Sequence, residues 1–409
     1  MDHNDEEKLH VAILKGRLAP TLSMGGVEKY TMRVAKAFVE AGCRVTLLTT
    51  PPKRMKSQPR SFSLPFDVVS FEGCNSTFSY HYLRQFDKKC LEWITSHQPD
   101  IVLGMDRNTY QTHYRAGNGV HRSYLARRYK AESFFKRLSF RFNPLHRTIL
   151  DFEKKTYEDP RLKALIVNST MVMDEIKEYY TTPPDKIHVI HNGVEWNEML
   201  NRFTLWPAVS EERVAQLGLA SNTYRYLFIG NDFRRKGLEL LLRSLSRMTQ
   251  NDFHLLVVGQ DKESEKFKSF TQHLGLAQHV TFFGPQRDLT PFYQVADCLV
   301  LPSLYDPFAN VTVEALAMGL IVVTSIYNGG KEVITPETGM IIEDLWNIES
   351  LSHSLAEAMK RPKTIASANA IRSSVQKLDF SSQLDKMVDT VMKTHNAKYN
   401  AGGKILLPS

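Results

Sequence analysis

The stretch LPSLYDPFANVTVEALAMGLIVV, from Leu301 to Val323, sets a helical repeat between two short apolar runs. Cys298 to Leu301 suits a buried strand and Leu320 to Val323 another, while Val311, Glu314, Ala315 and Met318 recur at the spacing of one helix face. Pro307 fits a first helical turn and Gly319 a helix stop. Strand, helix and strand in so short a span predict a parallel sheet covered by helices. Asp306 then falls in the loop at the helix start and Glu314 about two turns inside. Two carboxylates placed so flank unsatisfied backbone N–H groups and the positive end of a helix dipole, which suits a ligand carrying a diphosphate and hydroxyl pairs. An Asp-Pro ahead of a helix is equally an ordinary cap.

A second stretch, RYLFIGNDFRRKGLELLLRSL from Arg225 to Leu245, reads as strand, tight turn and amphipathic helix. Arg234, Arg235 and Lys236 crowd the helix start, where positive charge opposes the macrodipole at a cost of a few tenths of a kcal/mol each. An anion there would relieve them: arginine offers a planar fork for phosphate oxygens and lysine a mobile point charge. A solvated basic surface is the alternative.

Further pieces follow the same order and spacing: Gly25-Gly26 before a helix, YRAGNGVH at Tyr114 to His121, HNGV at His191 to Val194, GNDFRRKG at Gly230 to Gly237, VGQD at Val258 to Asp261, FFGPQRD at Phe282 to Asp288 and DPFANVTVE at Asp306 to Glu314. Together they resemble the retaining glycosyltransferases of family 4, on the GT-B fold, and within that family the lipopolysaccharide core glucosyltransferase group. The resemblance runs from about His10 to Lys393.

The resemblance implies a nucleoside diphosphate sugar as donor, UDP-glucose or a similar UDP-hexose, and a lipopolysaccharide-core-like or other glycolipid or glycan acceptor. Arg235 and Lys236 would bind the donor phosphates, Glu314 the ribose hydroxyls and Asp306 the transferred sugar. Gly25 and Gly26 would let the backbone approach donor and acceptor; Gly230, Phe283 and the run Phe308, Ala309, Asn310 and Val311 complete the donor contacts. Asn118 and His121 join Arg235, Lys236 and Asp306 in the catalytic set. His121 is read as a loop residue beside the sugar or an ordinary loop histidine, and His191 as a turn or hinge between domains. Three positions depart from the family pattern: Asp306 replaces a glutamate, Ala309 a glycine and Asn118 an acid. Aspartate is one methylene shorter, so its carboxylate reaches about 1.5 Å less far. No DxD-like metal signature is present in the sequence, so Arg235, Lys236 and the helix N-terminus are expected to replace a divalent cation, with no metal and no cofactor. Retention is expected by a front-face route. A non-hydrolysing nucleotide-sugar epimerase, or a protein that binds nucleotide sugar and membrane without turnover, are the competing readings.

With 409 residues and 42% hydrophobic content, the chain predicts two α/β domains of Rossmann-like, doubly wound type with a ligand cleft between them. Strands are expected at Val11 to Leu14, Arg44 to Thr49, Val68 to Phe71, Ile101 to Leu103, Ala164 to Val167 and Ile187 to Ile190, then at Tyr226 to Ile229, His254 to Val258, Val280 to Phe283, Leu299 to Leu301 and Leu320 to Val323. The predicted division is 1–194 for the acceptor side, 195–378 for the nucleotide-sugar side, 379–396 for a helix crossing back as in this fold, and 397–409 for a loose tail.

Cys43, Cys74, Cys90 and Cys298 lack metal-site or disulfide spacing. With no signal peptide and no membrane-spanning run, the chain is expected in the cytoplasm. The net charge of +8 is concentrated from His121 to Glu158, where bases such as Arg122, Arg127, Arg128, Lys130, Arg137, Arg141, Arg147 and Lys154 alternate with aromatic residues. That mixture suits the anionic inner face of the cytoplasmic membrane, each base adding about 1 kcal/mol near lipid, or a helix with aromatics inside and bases in water. Nucleic acid is not an expected partner, because no RNA- or DNA-binding module is recognisable.

Overall fold

The computed structural model describes residues 8–18, 26–51, 64–74, 76, 78–132, 140 and 142–396. They form two compact units, one drawn from Met1–Asn168, Val172–Ile190 and Leu384–Ser409, the other from Ser169–Met171 and His191–Gln383.

The first unit carries seven strands, all paired in parallel: β1 His10–Leu14, β2 Arg44–Thr49, β3 Asp67–Ser70, β4 Ile101–Gly104, β5 His113–Arg115, β6 Ala164–Val167 and β7 Ile187–Val189. Their order is β3-β2-β1-β4-β5-β6-β7, so the winding reverses between β1 and β4. The central strands are apolar on both faces because helices cover both. Val11, Ile13, Leu47 and Leu103 share one core with Met387, Val388 and Val391 from the helix Phe380–Asn396.

The second unit repeats the plan with six parallel strands: β8 Tyr224–Ile229, β9 Phe253–Val258, β10 Val280–Gly284, β11 Cys298–Leu301, β12 Ile321–Ser325 and β13 Gly339–Ile342. The order β10-β9-β8-β11-β12-β13 puts the reversal between β8 and β11. These two strands pair only at Cys298↔Tyr226 and Leu299↔Leu227, and each runs two residues further. Their C-terminal ends therefore part, which opens the crevice where doubly wound sheets hold ligands. Leu227, Leu299, Val300 and Val322 are wholly buried beneath it, each contributing about 1.5–3 kcal/mol of transfer free energy.

Two strands escape the sequence reading. β5 is His-Tyr-Arg and β13 is Gly-Met-Ile-Ile, and neither is a run of β-branched or apolar residues long enough to register. The helix after β11 spans Asn310–Ala317, so Pro307 precedes it rather than opening its first turn, and Glu314 lies little more than one turn inside. Gly319 does end it, with φ +75° and no room for a Cβ, which would stand 2.6 Å from that of Ala368. All four cysteines are free and buried.

Candidate functional site

The loops that follow β8 and β11 meet at the reversal point of the second sheet. The first, Gly230 to Gly237, carries Arg235 and Lys236 in a turn ahead of the helix Leu238–Leu245. Gly237 has φ +84°, and a Cβ on it would fall 1.9 Å from the Pro302 carbonyl oxygen, so only glycine lets the loops touch here. The Leu304 N–H donates to the Arg235 carbonyl at 2.8 Å, and Arg235 Nη1 to the Tyr305 carbonyl at 3.0 Å. On the other side, Asp261 Oδ2 accepts from the Phe233 N–H at 2.8 Å, which gives the VGQD motif a positioning part.

The second loop aims Asp306. Its N–H donates to the Tyr327 carbonyl and its carbonyl accepts from the Gly329 N–H, both at 2.9 Å, so the backbone is clamped from either side. A Cβ at Gly329 would stand 1.9 Å from the Pro307 carbonyl oxygen. Asn328 Oδ1 accepts from the N–H groups of Ala309 and Gly330, at 3.2 and 3.0 Å. The Asn-Gly-Gly sequence after β12, Asn328 to Gly330, is the sequence signal for this brace.

Lys236 and Asp306 meet in a near-complete burial, 9% and 6% exposed. Lys236 Nζ donates to Asp306 Oδ2 at 2.5 Å and Arg235 Nη1 to the same oxygen at 3.3 Å. Burial pushes the Asp306 carboxyl up, but Lys236 and Arg235 outweigh it and hold it below its ordinary value. Arg235 also faces Asp232, Nε to Oδ2 at 3.3 Å. The Lys236 stem lies over Gly230, where a Cβ would come within 3.1 Å of Cγ. The family resemblance implies phosphate for the cations and sugar for Asp306; the structure joins all three in one ion cluster.

The helix Asn310–Ala317 begins beside this cluster without a side-chain cap on Ala309. Phe308 and Ala309 are buried, and the Phe308 ring lies against His191 at 5.5 Å, so this run offers a ligand backbone rather than side chains. Asn310 is exposed and its Oδ1 accepts from Asn192 Nδ2 at 2.7 Å. Glu314 Oε2 accepts from the Tyr293 hydroxyl at 2.7 Å. Burial raises the Glu314 carboxyl, the Tyr293 hydrogen bond draws it back and Glu195 raises it further. Tyr293 was hidden in the sequence as one more core aromatic. Phe283, half-buried at the end of β10, packs edge-on against Phe292 at 5.0 Å. His191 pairs with Glu332 at 3.0 Å, which also accepts from the N–H groups of Thr170 and Met171.

Asn118 and His121 belong to the first unit. Asn118 is exposed in the turn before the helix His121–Ala131. His121 is not in a loop: it opens that helix, is buried, and its N–H donates to Glu153 at 2.8 Å while Nε2 meets His146 Nδ1 at 3.0 Å. Burial above all, then Arg107, His146 and Arg128, lowers its pKa to about 3, so the ring is neutral at physiological pH. Gly26 begins the helix Gly26–Glu40, and Gly25 lies outside the described residues.

Two Rossmann-like units, with cations, an acid and a helix start gathered at a sheet reversal, define the GT-B class of sugar-transferring folds. Comparison with known proteins gives the family. The family model described as Glycosyltransferase Family 4 matches residues 24–197, and that described as Glycosyl transferases group 1 matches 209–375. The chain belongs to this glycosyltransferase family and is an enzyme of the transferase class. It is 24% identical to the lipopolysaccharide glucosyltransferase WaaG of Escherichia coli (strain K12), over 90% of this chain and 95% of that protein. It is 24% identical to the glycosyltransferase MJ1607 of Methanocaldococcus jannaschii, over 84% of this chain and 86% of that protein. The crystal structure of WaaG superposes with a TM-score of 0.75 at 23% identity, over 93% of this chain and 99% of that one. Anabaena HepE, solved in complex with UDP-glucose, superposes with a TM-score of 0.63 at 19% identity, over 94% of this chain and 100% of that one.

Proposed function

We propose that the chain transfers a hexose, with retention and without a metal ion, from a UDP-sugar to a lipopolysaccharide-core-like glycolipid at an anionic membrane surface. The observation that carries the donor half is the convergence of Arg235, Lys236 and the start of Asn310–Ala317 at the β8/β11 reversal. Departure of UDP builds negative charge on the β-phosphate; the cations and the N–H groups of the helix start at Asn310 and Val311 would meet that charge, and so favour the transition state over the bound donor. Glu314, oriented by Tyr293, takes the ribose hydroxyls, and Asp306 the hexose. With the cations carrying the phosphate charge, a divalent ion has no separate task. A glucosyl donor accords with HepE, a neighbour in fold solved with UDP-glucose, and a lipopolysaccharide acceptor with WaaG.

Incubation with a panel of nucleotide sugars, with and without lipopolysaccharide acceptor and in the presence of EDTA, tests this. Transfer is expected only when a UDP-hexose and the acceptor are both present, unaffected by EDTA. Conversion of the donor without acceptor supports the epimerase reading, and binding without turnover supports a nucleotide-sugar-binding protein.

A further inference from the structure

Asp306 Oδ2 is held by the same two cations that would hold the donor's diphosphate, Lys236 at 2.5 Å and Arg235 at 3.3 Å. We propose that Asp306 is an internal competitor for the diphosphate, and that donor binding is a partner exchange in which phosphate oxygens take Lys236 and Arg235 while the released carboxylate turns to the hexose hydroxyls. The proposal rests on the donor-site reading above and gives that site an order of events.

Three observations carry it. Asp306 and Lys236 are both more than nine-tenths buried, so water does not readily replace either partner and the pair cannot simply dissolve when a ligand arrives. The Asp306 backbone is bonded to Tyr327 and Gly329, so the carboxylate changes partner by side-chain rotation and not by loop movement. Lys236 has the freer reach, a flexible stem lying along Gly230, whereas Arg235 is tied also to Asp232 and the Tyr305 carbonyl. Arg235 and Lys236 face the two carboxylates of Asp232 and Asp306, so a diphosphate gains more from these cations when a carboxylate yields.

The exchange has a consequence for specificity. UDP alone takes the cations and leaves a buried carboxylate unpartnered, whereas a UDP-hexose supplies hydroxyl donors to that same carboxylate. The intact donor is thereby favoured over the spent nucleotide, which aids release of UDP after transfer.

Calorimetric titration with UDP of the wild type, Asp306→Asn, Lys236→Ala and the double variant reads the exchange. Asp306→Asn is expected to bind UDP about tenfold more tightly and Lys236→Ala about tenfold more weakly, with a smaller gain from Asp306→Asn when Lys236 is already absent. Asp306→Ala, measured below its own melting temperature, gives the same sign if the asparagine variant does not fold. UDP affinity equal to or below wild type in the folded Asp306 variants, with Lys236→Ala still weakened, overturns the exchange and leaves the donor site standing. Unchanged affinity in Lys236→Ala removes the donor-site reading itself.

Discussion

Lys236 carries its charge on a buried stem, and on the proposed donor site truncating it would remove a charge-assisted phosphate contact of about 1.5–3 kcal/mol. Tyr293 acts at one remove: its hydroxyl is the donor that orients Glu314. Tyr293→Phe keeps the ring in its buried place and is expected to raise KM for the donor about three- to tenfold at nearly constant kcat, since ribose contacts serve ground state and transition state alike. Steady-state kinetics with a fall in kcat and an unchanged KM would contradict that role. Asp306→Ala is expected to lower kcat by about two orders of magnitude, because the hydrogen bonds proposed for it to the hexose would strengthen as the reaction proceeds. Unaltered transfer in that variant would reduce Asp306 to a loop brace. The sequence marks Asp306, Glu314, Arg235 and Lys236 through local motifs, but Lys236 and Asp306 stand 70 residues apart, and only the sheet order brings them into contact. Taken as separate motifs they imply separate ligands, phosphate for the cations and sugar for Asp306, whereas their shared burial is the ground of the exchange proposed above.

At the scale of elements, β8 and β11 were legible because buried parallel strands are unbroken apolar runs, whereas β5 was not, since His113 and Arg115 are buried through hydrogen bonds that no composition rule foresees. His113 pairs with Thr112 and Thr394, and burial first, then Lys163, His395 and His188, takes its pKa to about 3, like that of His121. Both rings are depressed from 6.5, so the unfolded chain takes up protons first as pH falls. Their contribution to stability is full above about pH 6.5 and is lost progressively towards pH 3. Chemical denaturation of His113→Gln and His121→Gln against pH should give flatter profiles through that window than wild type; parallel profiles would mean that neither ring stays neutral when folded. The basic, aromatic stretch resolves into the helices His121–Ala131 and Pro144–Tyr157, with Lys136, Arg137 and Arg141 outside the described residues. Arg127 pairs with Glu175 at 2.6 Å and Arg128 with Glu132, and Phe152 is core, while Tyr129 and Phe142 are 49% and 70% exposed. Arg147, Lys154 and Lys130 are three of the exposed bases among the described residues of this stretch. Their replacement by Gln is expected to reduce sedimentation with anionic vesicles and to leave UDP binding alone, with salt weakening attachment as charges are screened beyond about 8–10 Å. Equal binding to neutral vesicles would remove the electrostatic attachment.

At the scale of the whole molecule, each unit closes its own core around its own sheet, and the final helix Phe380–Asn396 places Met387 and Val391 wholly inside the core of the first. No helix among the described residues is long and apolar enough to cross a membrane. Apart from Gly25 and Gly26, the candidate donor groups lie in the second unit, so on the proposed donor site the stability of the first unit and donor binding are expected to respond to different substitutions. Met387→Ala removes a fully buried side chain and is expected to destabilise the first unit by about 2–5 kcal/mol, through lost transfer energy and the cavity left behind. On the proposed donor site, UDP would stabilise only folded states that contain the second unit's site, by an amount that grows with the logarithm of its concentration. Scanning calorimetry of Met387→Ala should therefore show a transition moved to lower temperature, while UDP affinity measured well below that transition equals the wild-type value. Loss of UDP affinity in folded Met387→Ala would mean that the core of the first unit shapes the donor site, and the assignment of donor binding to the second unit alone would have to be abandoned.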